Sequence, residues 1–301
     1  MKRFAALLKR EVMEHRGGFV FLPAILMAVM LLLTVVSLFF SDMAIMVDDM
    51  DLAGRLSAEQ EANPEKVESA ALVAYYGLSA PVWLVLPFVI MFTLLGALYE
   101  ERRDRSILFW KSMPVSDWEE VAAKLVAAAV VAPLIALVVV MAGQVAAGVV
   151  LTLGFLVKGG PIGVLWPVLS LVGSWFLSLP VLLYMVLWAL PVMAWFLAMS
   201  AFANRSPLFF AVIPPLVLGI LERIIFDSAV IGRFFSLHLG GWVDRIALRV
   251  DVESPLDLLR IRDVMVGAMG EATFLNPQFY VGLVVAAGLL AISVELRRRA
   301  A

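Results

Sequence analysis

Long runs without a charged side chain constrain this 301-residue chain more than any other feature. Such runs cover residues 70–99, 125–157 and 162–204, and a further apolar run covers 19–40. A helix needs about 20 residues to cross the hydrocarbon core of a bilayer, so each run is long enough to be a membrane span. The composition agrees, because 63 % of the residues are hydrophobic and only 16 % are charged, well outside the range of soluble domains. We therefore predict an all-α, polytopic membrane protein.

The distribution of basic residues orients these spans. The segment 41–69 is acidic and contains only Arg55 and Lys66 as basic residues, whereas the N-terminus and residues 100–124 are rich in Lys and Arg. Lys and Arg concentrate in the cytoplasmic loops of membrane proteins. We therefore predict cytoplasmic N- and C-termini, a cytoplasmic loop over 100–124, and extracytoplasmic segments over 41–69 and 227–271.

The stretch 162–204 could hold one span or two. One span gives a total of six and leaves the arginines 297–299 on the same side as the basic N-terminus, whereas two spans would leave them outside. We therefore predict one span here, kinked at Pro180 and Pro191. The six spans, at about 19–40, 73–98, 126–155, 174–202, 207–226 and 276–294, form a single transmembrane domain over 1–301.

The first 16 residues combine basic side chains with apolar residues at helical spacing, such as Leu7, Leu8 and Val12. This pattern predicts an amphipathic helix on the cytoplasmic surface, in contact with membrane lipid. The alternative is a basic flank that only orients the next span. A cleaved signal peptide is disfavoured, because the apolar run 19–40 is longer than the roughly 7–15 residues of the apolar region of a signal peptide.

The loop 100–124 carries the densest charge cluster of the chain, from Glu100 to Arg105, followed by an amphipathic piece over 107–113. Pro114 cannot continue a helix, and Ser116 or Asp117 can cap a new one. The loop is therefore predicted to contain a helix end, a short helix, a break and the start of the third span.

A few polar side chains fall within the predicted spans. Gln144 stands alone in the third span, and we interpret it as an interhelical hydrogen bond rather than a substrate ligand. Glu222 and Arg223 lie near the end of the fifth span, where they are expected to pair with neighbours rather than to act functionally. No metal site is predicted, because the chain has no cysteine and only two histidines, His15 and His238.

One set of residues between the second and third spans resembles the signature of type-2 ATP-binding-cassette (ABC) transporter permeases. The set comprises Glu101, Ser106, Leu108, the Met-Pro-Val-Ser sequence at 113–116, and Lys124. In that family a Glu-rich end of the second span is followed by a short coupling helix, a Pro-Val-Ser-like break and a Lys at the start of the third span. Arg105 is a departure, since many members have glycine there.

The resemblance implies the permease subunit of an ABC exporter in the bacterial inner (plasma) membrane, which would not itself be an enzyme. The sequence has no G-x-x-x-x-G-K-[ST] phosphate loop, so ATP and Mg would be bound by a separate ATPase, two copies of which contact the inner face. A second permease chain, in a homodimer rather than a heterodimer, would complete a pathway for an amphipathic or hydrophobic substrate. The chain itself would hold no cofactor and no nucleic acid. The expected ATPase-coupling residues are Glu100, Glu101, Arg105, Ser106, Ile107, Leu108, Phe109, Trp110, Met113 and Pro114.

Two alternatives remain from the sequence. Residues 100–105 fit E-E-x-x-x-R and Phe234 to His238 fits F-x-x-x-H, and both resemble motifs of the CAAX-processing intramembrane proteases. The two motifs fall on opposite sides of the predicted membrane, so we interpret His238 as an ordinary residue of the outer loop. The other alternative is a membrane anchor or sensor, which would bind a partner without transporting a substrate.

Overall fold

The computed structural model describes residues 2–40, 58–111, 114–158, 162–241 and 276–300, and within these ranges all regular secondary structure is helical. Within the residues that the structure describes, six helical segments are long and apolar enough to cross a membrane, as many as the sequence predicts. Met113, residues 41–57 of the first predicted outer segment and residues 242–271 of the second lie outside the described residues.

The bounds of the helices follow the chain order. They are α1 (Lys2–Glu14), α2 (Leu22–Phe40), α3 (Pro64–Ala97), α4 (Tyr99–Arg103), α5 (Ile107–Lys111), α6 (Asp117–Val126), α7 (Ala132–Lys158), α8 (Val168–Phe202), α9 (Pro207–Phe226), α10 (Val230–Ser236) and α11 (Pro277–Arg299). Three π-helical turns lie next to them: Gly17–Phe21 leads into α2, Ala127–Val131 joins α6 to α7, and Leu237–Gly241 follows α10.

One helix, α8, occupies the stretch that could have held two spans. It has 35 residues and contains both Pro180 and Pro191. At 1.5 Å per residue α8 is about 52 Å long, much longer than a hydrocarbon core of about 30 Å. Both α8 and α3 begin before the residues predicted for their spans, because a helix continues past the apolar stretch from which a span is recognised.

Both chain termini lie at one end of the helix bundle, which we call the terminal end. There α1 packs against α6, and Arg297 near the end of α11 contacts Glu101 of α4. The opposite end, which we call the far end, holds the beginning of α3 and of α8. There the Tyr75 hydroxyl donates a hydrogen bond of 2.8 Å to the Leu165 carbonyl.

Small residues allow the central helices to approach closely. Five alanines around the start of α7 are no more than 2 % exposed: Ala127, Ala128, Ala129, Ala132 and Ala136. Farther along α7, a Cβ atom at Gly143 would lie 2.1 Å from Met27 Cε, and one at Gly154 would lie 1.9 Å from Leu38 Cδ2. Small residues at such contacts are typical of helix packing in membranes, and they hold α2 directly against α7.

Candidate coupling site

Four helices bring charged side chains together at the terminal end. We call this group the ion network, and its members are Arg10 and Glu11 of α1, Glu101 of α4, Asp117, Glu120 and Lys124 of α6, and Arg297 of α11. Glu120 and Lys124 are four residues apart, so both lie on one face of α6. The ion network therefore joins the N-terminal helix, the end of the second span, the start of the third span and the end of the sixth.

Glu101 lies at the centre of the ion network. Its Oε1 atom is 2.8 Å from Lys124 Nζ, and its Oε2 atom accepts a hydrogen bond from the Arg297 guanidinium. Lys124 Nζ also lies 3.0 Å from Glu11 Oε1, and Arg297 Nε lies 3.2 Å from Asp117 Oδ1. One carboxylate thus connects α4 to both α6 and α11.

Arg10 connects α1 to the same cluster. Its guanidinium donates two hydrogen bonds to the Glu120 carboxylate, at 3.2 and 2.9 Å, and it also contacts Glu11. Burial by itself lowers the pKa of Arg10, but the hydrogen bonds to Glu120 and Glu11 outweigh it and hold the pKa above its ordinary value. The guanidinium also lies 4.0 Å from the ring centroid of Trp110, a cation–π contact that ties α1 to α5.

Most of these charges are shielded from solvent. The exposed fraction of the side chain is 1 % for Glu11, 2 % for Lys124 and Arg297, and 7 % for Glu101. Three of the carboxylates, Glu11, Glu101 and Glu120, place oxygen atoms within 4.8 Å of one another, close enough to share a cation. The positive charge beside them comes from the chain itself, because Lys124 and two arginines contact these carboxylates. A buried carboxylate is tolerated only when it is paired in this way.

The end of the second span is also fixed to the end of the fourth. Ser200 Oγ accepts hydrogen bonds from the backbone N–H groups of Leu98 and Tyr99, at 2.9 and 3.0 Å. Arg102 donates to the carbonyls of Ser200 and Ala203, at 2.6 and 2.8 Å. These bonds satisfy backbone groups at two helix ends, so α4 and α8 are joined at the terminal end.

The short helix α5 occupies the predicted coupling segment and exposes part of its apolar face. Ile107 is buried, whereas Leu108 and Phe109 are each 61 % exposed. Trp110 is partly covered by Arg10, and Lys111 Nζ donates a hydrogen bond of 3.0 Å to the Arg298 carbonyl. The helix is thus held at both ends by the chain and presents two apolar side chains outward.

The turn after α5 leads into a capped helix, whereas the turn before α5 contains a residue with a left-handed backbone conformation. The predicted cap is confirmed, because Ser116 and Glu119 form a reciprocal capping box at the start of α6. Before α5, Arg105 has φ 58°, a left-handed conformation that favours glycine. This is the position at which many of the permeases named above have glycine. Ser106 Oγ donates to the Glu101 carbonyl at 3.3 Å, and Glu100 and Pro114 are exposed.

Gln144 lies far from the ion network, in the interior of α7. It is 2 % exposed, its Nε2 atom donates to the Tyr75 carbonyl at 3.2 Å, and its Oε1 atom accepts from Trp175 Nε1 at 2.6 Å. Gln144 therefore hydrogen-bonds to both α3 and α8, and both the nitrogen and the oxygen of its amide group have partners within the helix bundle.

Glu222 and Arg223, the other two candidate intramembrane polar residues, lie near the end of α9. The Glu222 carboxylate accepts hydrogen bonds from the backbone N–H groups of Val230 and Ile231, at 2.6 and 2.9 Å, and from Ser228 Oγ at 2.5 Å. These N–H groups open α10 and have no acceptor within their own helix. Glu222 therefore caps the next helix, while Arg223 is exposed.

The expectation that His238 is an ordinary outer-loop residue is wrong. His238 is 1 % exposed, and its ring lies 5.8 Å from the ring of Trp188 in α8 and against Gly282 of α11. Gly282 and Arg297 are 15 residues apart on α11, or about 22 Å, and Arg297 contacts Glu101. Glu101 and His238 are therefore too far apart to activate one water molecule together, as the protease motifs would require.

Several members of the ion network were not predicted from the sequence: Arg10, Glu11, Asp117, Glu120 and Arg297. One signal was available, because Glu11 follows Leu7 and Leu8 at helical spacing and so falls on the apolar side of α1. A charged residue on an apolar face needs a partner. The partners themselves are distant in sequence.

Comparison with known proteins gives no match: no family model, no curated protein and no solved structure is similar to this chain.

Proposed function

We propose that this chain is the permease subunit of an ABC exporter and that α5 is its coupling helix. A separate ATPase would bind the terminal end, and its movement on binding and hydrolysing ATP would be transmitted through α5 to the membrane spans. The chain has no phosphate loop, so ATP and Mg belong to the partner. Two permease chains, in a homodimer, would form the pathway for an amphipathic or hydrophobic substrate.

The observation that carries this proposal is the connection between α5 and the ion network. A force on α5 reaches the second span through α4 and the sixth span through Lys111 and Arg298. It reaches the N-terminal helix through Trp110 and Arg10, and from Arg10 it reaches the start of the third span through Glu120. Buried ion pairs of good geometry hold these helices in a fixed arrangement. A coupling element requires such a stiff connection, whereas a loop that only rests in lipid head groups does not.

The exposed apolar side chains of α5 support the proposal that a partner protein binds at this position. Leu108 and Phe109 point outward next to a rim of charged residues, a combination typical of interfaces, in which an apolar centre is surrounded by polar groups. The basic residues of α1 and 297–299 favour a cytoplasmic terminal end, where ATP is available. A protease is not proposed, because about 22 Å of α11 separates the parts of the bundle that hold Glu101 and His238.

The experiment is affinity purification of the tagged chain from its native membrane in mild detergent, followed by identification of copurifying proteins and an ATP hydrolysis assay. We expect an ABC ATPase to copurify with the wild-type chain. Leu108→Asp should remove it, because a charge replaces an apolar contact, and should leave the chain inserted because Leu108 is 61 % exposed. Leu108→Met keeps an apolar side chain and is the matched control, which should retain the ATPase.

Recovery of the ATPase with Leu108→Asp at the wild-type level would contradict the assignment of α5. Purification of the wild-type chain with no ATPase at all would contradict the permease proposal itself. An ATPase that binds and hydrolyses ATP with no transport by the complex would favour the anchor or sensor instead.

A further inference from the structure

An apolar cavity of about 390 Å³ lies between α3 and α8, away from the ion network. Residues of α3 between Tyr76 and Met91 line one side, and residues on one face of α8 between Ser174 and Phe196 line the other. Pro133 of α7 and Leu239 of the π-helical turn after α10 also contribute. We call this cavity the slot.

The slot is long and narrow. The lining residues extend over about 22 Å of α3 and about 33 Å of α8, at 1.5 Å per residue. A volume of about 390 Å³ is small for such lengths, so the slot is a narrow crevice rather than a wide chamber. A hydrocarbon chain has this long, thin shape.

The two ends of the slot differ in polarity. Tyr76, Ser174 and Ser178 line it near the far end. From Leu182 to Phe196 every described lining residue of α8 is apolar, as are those of α3 from Leu86 to Met91. The Ser178 hydroxyl donates to the Ser174 carbonyl at 2.9 Å, and its oxygen remains able to accept a hydrogen bond. A molecule that fits the slot is therefore polar at one end and apolar along the rest of its length.

From these dimensions and this polarity, we propose that the slot binds one acyl chain of a membrane phospholipid. The chain end would point toward the terminal end of the bundle, and the ester and head group would lie beside Tyr76, Ser174 and Ser178. The helices that form the slot are themselves membrane spans, so the ligand reaches it from the bilayer. This binding needs no ATPase and does not depend on the proposed function; if that function is correct, the slot defines its substrate class.

The experiment uses the full chain reconstituted in phosphatidylglycerol vesicles that contain a phosphatidylglycerol with a diazirine in one acyl chain. After illumination, mass spectrometry locates the labelled residues. A diazirine close to the ester should label peptides around Ser174 and Ser178, and one close to the chain end should label peptides around Met193 and Phe196. Labels restricted to lipid-exposed positions such as Leu84 and Leu183, or labels in the reverse order, would overturn the proposal.

Two variants test whether the label depends on the slot. Ala189→Phe fills the middle of the slot, and Leu183→Phe places the same side chain on the 60 % exposed face of the same helix. Ala189→Phe should remove most of the labelling near Phe196, because a phenyl ring in the slot occupies the space through which the acyl chain would pass. Leu183→Phe should leave it unchanged. Equal labelling in both variants would mean that lipid only surrounds the protein here as solvent.

The wild-type labelling pattern needs no variant, so it remains informative if Ala189→Phe does not fold. It is also independent of the copurification experiment. Ordered labelling of a chain that purifies without an ATPase would support lipid binding in the slot and contradict the permease proposal. Copurification of an ATPase with a chain that shows no ordered labelling would support the permease proposal and contradict lipid binding in the slot.

Discussion

At the scale of single residues, Glu101 has the largest predicted effect on stability. Its carboxylate is 7 % exposed and contacts both Lys124 and Arg297. Glu101→Gln removes the negative charge and leaves both cations without their shared partner. Removal of one member of a buried ion pair typically costs about 3–5 kcal/mol. We expect a loss at the lower end of that range, because Glu11 and Asp117 still contact the two cations.

The measurement is the free energy of unfolding in mixed micelles as denaturing detergent is increased. The matched control is Glu295→Gln, which removes the same charge from a solvent-exposed pair with Arg299. Exposed pairs contribute about 0–1 kcal/mol, so the control should remain close to the wild type. Equal small losses in both variants would contradict the assignment of Glu101 to a buried network.

The ion network also shows where sequence reasoning ends at this scale. Glu101 and Lys124 were recognised because both belong to the set of residues that resembles the permease signature. Arg10 and Glu120 are 110 residues apart and Glu101 and Arg297 are 196 residues apart, and no periodicity connects such positions. Their pairing depends on how the helices pack, which becomes visible only in three dimensions.

At the scale of elements, the turn between α4 and α5 carries a local strain that a substitution can release. Arg105 has φ 58°, and a left-handed conformation costs an ordinary residue about 1–2 kcal/mol. Arg105→Gly should therefore stabilise the chain, by about 1 kcal/mol or less, since glycine also loses more entropy on folding. Arg105→Ala keeps the Cβ atom and should give no gain in the same unfolding measurement. A gain with alanine equal to that with glycine would show that the side chain, and not the backbone, is responsible.

The elements themselves were largely predictable. Apolar runs together with the distribution of basic residues predicted six spans. Pro114 and Ser116 predicted the break and the cap before α6, since these depend on local chemistry. The position of α1 was not predictable in the same way. Its apolar side was expected to face lipid, yet Leu7 is 7 % exposed in the chain alone and α1 packs on α6. An amphipathic pattern gives the buried face of a helix but not the surface that covers it.

At the scale of the whole molecule, the proposed orientation can be tested by chemical labelling. The chain has no cysteine, so single cysteines report individual positions. Glu61→Cys before α3 should react with a membrane-impermeant maleimide added outside intact cells. Asn204→Cys, between α8 and α9, should react only after the membrane is permeabilised. The opposite pattern would place the terminal end, and α5 with it, on the outer side of the membrane, where ATP is not available, and would contradict the proposed function.

We propose that an ATPase moves the membrane spans of two identical chains, and a distance between the two chains reports that movement. Leu169 is 87 % exposed near the start of α8, at the far end, and Leu169→Cys places one spin label on each chain of the purified complex. We predict that the distribution of distances between the two labels shifts when ATP and Mg are trapped in the ATPase. An unchanged distribution with the ATPase bound and loaded would contradict coupling, and the absence of any label-to-label distance would contradict the homodimer.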